Sequence, residues 1–300
     1  METHLRMAGP LRPSRWVMQQ VRALTGHEAD LSRFEQPAGD VGWYGPDSVI
    51  WQVHAHFVAM MVGGIGSLIL QALHPRALAA VWDHSNFRSD LKGRLGRTAY
   101  FIAATTYGPH ALAQDVIDRV NSIHARIQGQ MPNGMPYRAN EPELIEWVHM
   151  AEVHCFLQAH QTLSQSPLGP AQANQYLREA ARTGYALGAR HLPVTTHDLA
   201  QGLMARQAEW VMDERTRQTH AWIDALPEQS PQPWLMRALV NEARLCLPDW
   251  TLNWMGEPSA GSELQASWRR RLLKGLGAAI QPVLLEQGVV GVARRRIGLN

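Results

Sequence analysis

The chain has 300 residues, of which 45% are hydrophobic and 18% charged, so it can bury a large core and is too apolar to be disordered overall. Its formal net charge of +2 gives no reason to expect nucleic acid as a partner. The two cysteines, Cys155 and Cys246, each lie in an apolar helical pattern. This pattern predicts buried thiols in a reducing, cytoplasmic compartment rather than a disulfide framework.

Hydrophobic periodicity and capping residues predict helices along most of the chain and almost no strand. The Gly63-Gly64 pair is expected to break one apolar segment into two helices. The predicted helices are Arg15 to Leu24, Val49 to Val62, a second apolar helix ending near His74, Pro75 to Val81, Arg94 to Tyr107, Ala111 to Gln128, a helix capped by Asn140 and Glu143 that reaches Gln161, Gln172 to Leu187, His197 to Glu209, Glu214 to Ala225, Leu235 to Cys246, Ser262 to Leu276 and Ala278 to Gln287.

These elements predict an all-α fold with a single helical domain. We expect an N-terminal tail and helix over 1–46, the main domain over 47–255, and C-terminal helices over 256–300 that pack on the same domain. The apolar segment from Phe57 to Leu73 has about the minimum length for a membrane span. Its glycine pair and flanking histidines favour a buried helix pair, so no transmembrane span is predicted.

His124 lies on the apolar face of its predicted helix. At 100° per residue it shares a sector with five aliphatic side chains: Val116, Ile117, Val120, Ile123 and Ile127. A buried, neutral imidazole is a good axial ligand for iron, above all for haem iron. The alternative is a core histidine that bonds to a backbone carbonyl, and the pattern does not decide between the two.

The preceding helix places Arg94, Thr98 and Thr105 on the same face as Phe101 and Ile102. A buried guanidinium needs an anionic partner. The carboxylates of a cofactor such as haem would suit it, because arginine binds carboxylates through two parallel hydrogen bonds. An internal ion pair is the other possibility, and its candidate partners are Asp83, Asp90 and Asp115.

Two further residues are candidates for chemistry. Glu152 shares the buried sector of its helix, so it either has a raised pKa and serves as an acid or base, or pairs with Arg or Lys from another helix. His74 follows an apolar helix, where it either faces a pocket or interacts with the helix dipole.

The order of several short motifs resembles the MpaB and latex clearing protein family of haem-dependent oxygenases. The motifs are Leu70-Gln71 followed by His74-Pro75, then "DHSNF", Arg94-x-x-Arg97-Thr98, "IHARIQG", "YRANEPELIEWVH", "GYALGARHLPVTTHDL" and "CLPDWTLNW". The likeness runs from about Trp51 to Trp254.

The resemblance implies a globin-like helical core around one haem b, and oxygen-dependent cleavage of a carbon-carbon double bond in an apolar, often isoprenoid, substrate. His124 of "IHARIQG" would be the proximal iron ligand, with O₂ on the opposite face. Arg94 and Thr98 would lie beside the haem together with Phe101. Arg97 occupies the place of a lysine that can cap the distal side in latex clearing proteins. Walls for the substrate are expected near Met60, Met61, Ile65, Leu68, Leu70 and Phe101.

One departure from the family pattern concerns the catalytic base. Latex clearing proteins use a glutamate upstream of the arginine motif, whereas no Glu occurs from Asp47 through Arg97 in this chain. His74, Asp83 or Glu152 are the residues that could substitute. The expected partners are an apolar small molecule and O₂. The alternatives are a non-catalytic haem-binding protein and a cofactor-free helical lipid-binding protein.

Overall fold

The computed structural model describes residue 18 and residues 30–86, 90–256 and 263–299, apart from the side chains of residues 91 and 92. In these ranges the fold is all-α, as predicted, with thirteen α-helices and a single hairpin of two short strands. The helix predicted from Arg15 to Leu24 lies outside the described residues, except for Met18. The globin-like detail of the core stays a prediction.

We number the helices in chain order. They are α1 (Val49–His54), α2 (Phe57–Gln71), α3 (Pro75–His84), α4 (Leu91–Tyr107), α5 (His110–His124), α6 (Pro142–Leu163), α7 (Pro170–Ala186), α8 (Thr196–Ala205), α9 (Glu214–Asp224), α10 (Pro233–Arg244), α11 (Asp249–Met255), α12 (Glu263–Gln287) and α13 (Val289–Arg296). Strands β1 (Gln128–Gln130) and β2 (Pro136–Arg138) pair antiparallel, with Gly129 opposite Tyr137. Three 3-10 turns cover Leu31–Phe34, Arg206–Glu209 and Leu226–Gln229.

Helices α2 and α6 pack against each other in the core, and they are in close contact at Gly63. A Cβ atom built on Gly63 would lie 2.9 Å from both the Cys155 carbonyl oxygen and the Phe156 Cα. The predicted break at Gly63-Gly64 is therefore wrong, because the glycines serve close helix packing. The chain breaks instead before α2, where the His56 Nδ1 accepts a hydrogen bond from the Ala59 N–H at 3.2 Å.

Other predicted boundaries also shift. Helix α5 ends at His124, four residues earlier than predicted, because the following residues form the hairpin. Helix α6 begins at Pro142 with Glu141 as its N-cap, so the predicted cap at Asn140 is wrong. The two helices predicted over residues 262–287 form one, α12. This helix continues through Gly277. A Cβ added at Gly277 would lie 3.1 Å from the His56 ring, so the glycine lets the ring pack closely against the helix.

No single helix among the described residues is long and apolar enough to cross a membrane. Two pairs of helices reach the necessary length and hydropathy only together, and both pairs are bent. The angle is 105° between α2 and α3 and 41° between α12 and α13.

Candidate functional site

An apolar cavity of about 370 Å³ lies between α2, α4, α6 and the C-terminal helices. Because one side of α2 packs on α6 and another side faces the cavity, this helix is apolar nearly all round. The apolar lining includes Met60, Met61, Ile65, Leu68, Ile102, Val148, Phe156, Leu284, Val289 and Val290. Four of the six predicted wall residues are thus on the wall. Leu70 and Phe101 are not among the lining residues: Leu70 is fully buried in the core, and Phe101 is half-buried against it.

His54 is the histidine on this wall among the described residues. Its Nδ1 lies 2.8 Å from the Thr106 hydroxyl and its Nε2 lies 3.3 Å from the Tyr176 hydroxyl. Burial lowers the pKa of His54 to about 3, so the ring is neutral at physiological pH. Both ring nitrogens are engaged with protein groups, which leaves neither as a ready metal ligand.

The hydroxyls of Tyr107 and Ser67 also bond to the protein. Tyr107 donates to the Trp51 carbonyl at 3.0 Å, and Ser67 donates to the Gly64 carbonyl at 2.9 Å. The hydroxyls of Tyr107 and Ser67 are therefore already hydrogen-bonded within the protein and add little polarity to the cavity wall.

A polar group of four residues, Gln71, Arg94, Thr98 and Glu152, lines the same cavity. Burial raises the pKa of Glu152 to about 7, although the positive charge of Arg94 and a hydrogen bond from Gln71 oppose this. Burial likewise lowers the pKa of Arg94 to about 10, which leaves it charged. The Arg94 guanidinium also donates to the Ser85 hydroxyl at 3.3 Å. This polar group joins a cation and a titratable carboxyl inside an apolar site.

The three aspartates predicted as possible partners of Arg94 each bind another arginine. Asp83 pairs with Arg215 at 3.3 Å, Asp90 with Arg97 at 3.2 Å and Asp115 with Arg33 at 2.7 Å. The carboxylate that acts electrostatically on Arg94 is Glu152. Glu152 is therefore coupled to an arginine of another helix, as one reading of the sequence proposed, and it also faces the cavity.

Arg97 lies away from the cavity. Its side chain is 55% exposed, and it donates to Asp90 and to the Asn86 side chain. Arg94 and Thr98 line the cavity, whereas Arg97, which is about 100° from Thr98 around the helix, turns to the surface.

His74 is buried, and its contacts are those of a structural residue. Its Nδ1 accepts a hydrogen bond from the Ala77 N–H at 3.4 Å and so caps the first turn of α3. Its Nε2 lies 3.0 Å from a Glu209 carboxylate oxygen, and its ring packs against Trp147. Burial lowers the pKa of His74, although Glu209 opposes the shift. His74 is not among the residues that line the cavity.

His124 is the last residue of α5 and is half-buried. Burial lowers the pKa of its ring, and its Nδ1 is buried with no hydrogen-bond partner among the described residues. An unsatisfied buried imidazole nitrogen is chemically suited to bind a metal. His124 does not line the cavity, however. The described residues also contain no group of three or more His, Cys, Asp or Glu side chains that could hold a metal ion by themselves.

A haem inside this cavity needs an imidazole on the wall and a cation for its carboxylates. Arg94 and Thr98 meet the second need. The described residues offer no free imidazole on the wall, because His54 is engaged through both nitrogens and His124 is not on the wall. The lining of the cavity therefore does not fit a haem ligated by His124 from within it.

Several lining residues were not predicted as site residues. Gln71 belongs to a quoted motif, but nothing in its type singles it out as a cavity residue. Leu284 and Val289 come from helices more than a hundred residues downstream, and their arrival at this wall depends on tertiary packing. Glu152 differs from these residues, because its position on a buried helix face already marked it as a candidate for acid or base chemistry.

A comparison with family models found one match, over residues 51–281, to the "ER-bound oxygenase mpaB/B'/Rubber oxygenase, catalytic domain". No curated protein and no solved structure matched the chain significantly. The match covers more than half of the chain and includes the cavity-lining segments of α2, α4 and α6. The chain therefore belongs to the family of mpaB and rubber oxygenase catalytic domains.

Proposed function

We propose that this protein is an oxygenase whose apolar substrate occupies the cavity between α2, α4 and α6. The observation that carries the proposal is an apolar cavity of about 370 Å³ with a single polar group, inside an oxygenase catalytic domain. Pockets of this size and lining are typical of sites for small apolar molecules. The second substrate is O₂, which an oxygenase requires.

The chain's own residues hold and isolate the substrate. Met60, Ile65 and Phe156 offer apolar surface and keep water out, while Arg94 and Glu152 supply polarity at a single place. An excluded-water site strengthens electrostatic interactions with the substrate.

The resemblance to latex clearing proteins also predicts a haem b, which supplies redox chemistry with O₂ when bound. By this resemblance His124 would be its iron ligand, and Arg94, Thr98 and Phe101 would lie beside it, but the cavity lining does not fit this arrangement because His124 and Phe101 are not on the wall. Support for His124 comes from the "IHARIQG" motif and from its buried, unpartnered nitrogen. The distal role of Arg97 stays a prediction of the resemblance, and His74 stays a candidate substitute for the family's glutamate base. We derive no reaction step through the haem.

A second candidate function is ligand binding without a cofactor. The observation that favours it concerns His54, the histidine on the cavity wall among the described residues. Its ring is neutral and engaged in hydrogen bonds at both nitrogens, so it is not a ready iron ligand. In that case Arg94 and His124 are structural residues.

The absorbance spectrum of the purified protein decides between these functions. After expression with ample haem, an oxygenase that depends on haem shows a Soret band and consumes O₂ with an apolar alkene. Haem without O₂ consumption indicates a carrier or sensor, and no Soret band at any loading contradicts haem dependence.

The first prediction concerns His124. The resemblance predicts that His124→Ala loses the Soret band while its circular dichroism stays helical, because His124 would be the one imidazole that holds the iron. His197→Ala is the matched control, since His197 is exposed on α8. Stoichiometric haem in His124→Ala would show that another residue is the ligand.

A further inference from the structure

The cavity is elongated along α2. Phe57 and Gln71, the first and last residues of this helix, both line it. At 1.5 Å per residue, these two positions are about 21 Å apart along the helix axis. A ligand that fills the cavity therefore has a long body.

The polar group lies at the Gln71 end of this length. Gln71 bonds to Glu152, and the charges of Glu152 and Arg94 act on each other. Gln71 and Arg94 also both line a second, smaller cavity of about 50 Å³ that adjoins this end. At the other end, near Phe57, the polar side chains of His54 and Tyr107 are bonded to the protein. The cavity thus has one polar end and one apolar end.

The two charged residues differ in what they can bond. An ionised Glu152 carboxylate only accepts hydrogen bonds, whereas the Arg94 guanidinium only donates them. A hydroxyl group can donate to the first and accept from the second at once. A ligand carboxylate would repel Glu152, and a hydrocarbon would form no hydrogen bond with either residue.

We propose that the cavity binds a long-chain apolar alcohol, with its hydroxyl group between Glu152 and Arg94. The inference rests on the proposed function for the assumption that the cavity is the substrate site, and it names the substrate class. The apolar chain of the alcohol extends from this polar end along α2 towards Phe57.

The test is a binding comparison on the full chain at about pH 8, above the pKa of about 7 of Glu152. The ligands 1-decanol, decanoate and decane each compete with a fluorescent apolar probe. We expect decanol to bind about tenfold more tightly than either of the others, because only decanol can donate to Glu152 and accept from Arg94 without repulsion. Equal affinity for all three ligands overturns the proposal.

Glu152→Gln sharpens the test. The glutamine amide can donate to a carboxylate and no longer repels it, so we expect decanoate to bind at least as tightly as decanol. Glu143→Gln removes one exposed charge from the same helix and should keep the order of the wild type. An unchanged decanol preference in folded Glu152→Gln overturns the proposal, and if this variant does not fold, the wild-type order alone decides.

The binding test does not depend on turnover. A protein that prefers decanol but consumes no O₂ with any apolar substrate contradicts the proposed function and keeps this inference. A protein that oxidises alkenes but binds the three ligands equally contradicts only this inference.

Discussion

At the scale of single residues, Arg296 connects three distant segments. Its Nε donates to the Asp40 carbonyl at 2.7 Å, its Nη1 to the Phe34 carbonyl at 2.7 Å and its Nη2 to the Tyr107 carbonyl at 2.8 Å. The side chain is nearly fully buried. Since Tyr107 and helix α13 both contribute to the cavity wall, this guanidinium also fixes the frame of the site.

Arg296→Lys should destabilise the fold. A lysine ammonium is a single point charge and cannot reach three carbonyls in the geometry of a planar guanidinium. We expect a loss of about 2–4 kcal/mol in the free energy of unfolding, measured by urea denaturation, because two charged hydrogen bonds are lost from a buried site. Arg295→Lys is the control, since Arg295 is exposed and bonds to the Glu286 carbonyl. Equal stability of the two variants would contradict this role.

Residue-scale predictions from the sequence succeeded where helix periodicity was enough. Arg94 and Thr98 were placed on one inward face, and both line the cavity. Periodicity could not tell that Arg97 would reach Asp90, or that the ring of His74 would cap α3, because those contacts depend on side-chain direction and on neighbouring turns.

At the scale of elements, the glycine pair of α2 has two different surroundings. Gly63 faces α6, where an added Cβ would lie 2.7 Å from the Phe156 ring and 2.9 Å from backbone atoms. Gly64 faces the cavity, and the nearest atom to its added Cβ is 3.9 Å away. Of these two adjacent glycines, Gly63 therefore allows the close packing of two helices, and Gly64 lines the cavity.

Gly63→Ala should therefore destabilise the protein, whereas Gly64→Ala should not. We expect Gly63→Ala to lower the free energy of unfolding by about 1–3 kcal/mol, because the backbone of α6 has to move. Gly64→Ala is expected to be neutral or to gain up to about 1 kcal/mol from helix propensity. Thermal unfolding of both variants tests this, and equal Tm values would show that α2 and α6 are not in close contact at Gly63.

The predicted elements failed where local and tertiary signals conflict. Two adjacent glycines normally indicate a break, but helix α2 continues through them because α6 packs there. Helix α13 was not predicted, and its burial of Gly291, Val292, Ala293 and Arg296 depends on tertiary contacts. The all-α class itself followed from periodicity alone, because the signal is summed over many residues.

At the scale of the whole molecule, neutral buried histidines are a common feature. Burial lowers the pKa of eight of them: His54, His56, His74, His124, His149, His154, His160 and His220. For His54 the value is about 3, and for His149, His154 and His160 it is about 4. The unfolded chain titrates these groups near pH 6.5.

Stability should therefore fall as the pH falls. For the four histidines with a pKa of about 3 or 4, the unfolded chain binds protons between about pH 6.5 and pH 4 that the folded chain does not, so each of them costs up to about 1.4 kcal/mol per pH unit. The raised pKa of Glu152 acts in the opposite direction, but it is a single group. Urea unfolding at about pH 7.5, 6.5 and 5 measures the trend, and constant or rising stability at the lowest pH contradicts it.

Two variants assign the effect to burial. His149→Gln removes one buried titrating group and should make stability less dependent on pH, whereas His197→Gln changes an exposed histidine and should leave the dependence unchanged.

The assembly of the cavity shows what sequence could not predict about the whole molecule. Its wall combines α2, α4 and α6 with the C-terminal residues Leu284 and Val290, which are separated from them by more than a hundred residues. Each helix could be predicted locally, but their meeting depends on the packing of the entire chain. The domain limits at residues 46 and 255 stay predictions.

The close contact at Gly63 also constrains how a ligand enters and leaves. Helix α2 is also tightly packed on α10, since a Cβ at Gly66 would lie 2.9 Å from the Ala243 carbonyl and 3.4 Å from the Cys155 Sγ of α6. The wall formed by α2 and α6 can therefore act only as a fixed support during ligand exchange. If ligand exchange needs a motion of the wall, we expect it at elements outside this contact, such as α4 or the junction of α12 and α13, where Gly288 lines the cavity.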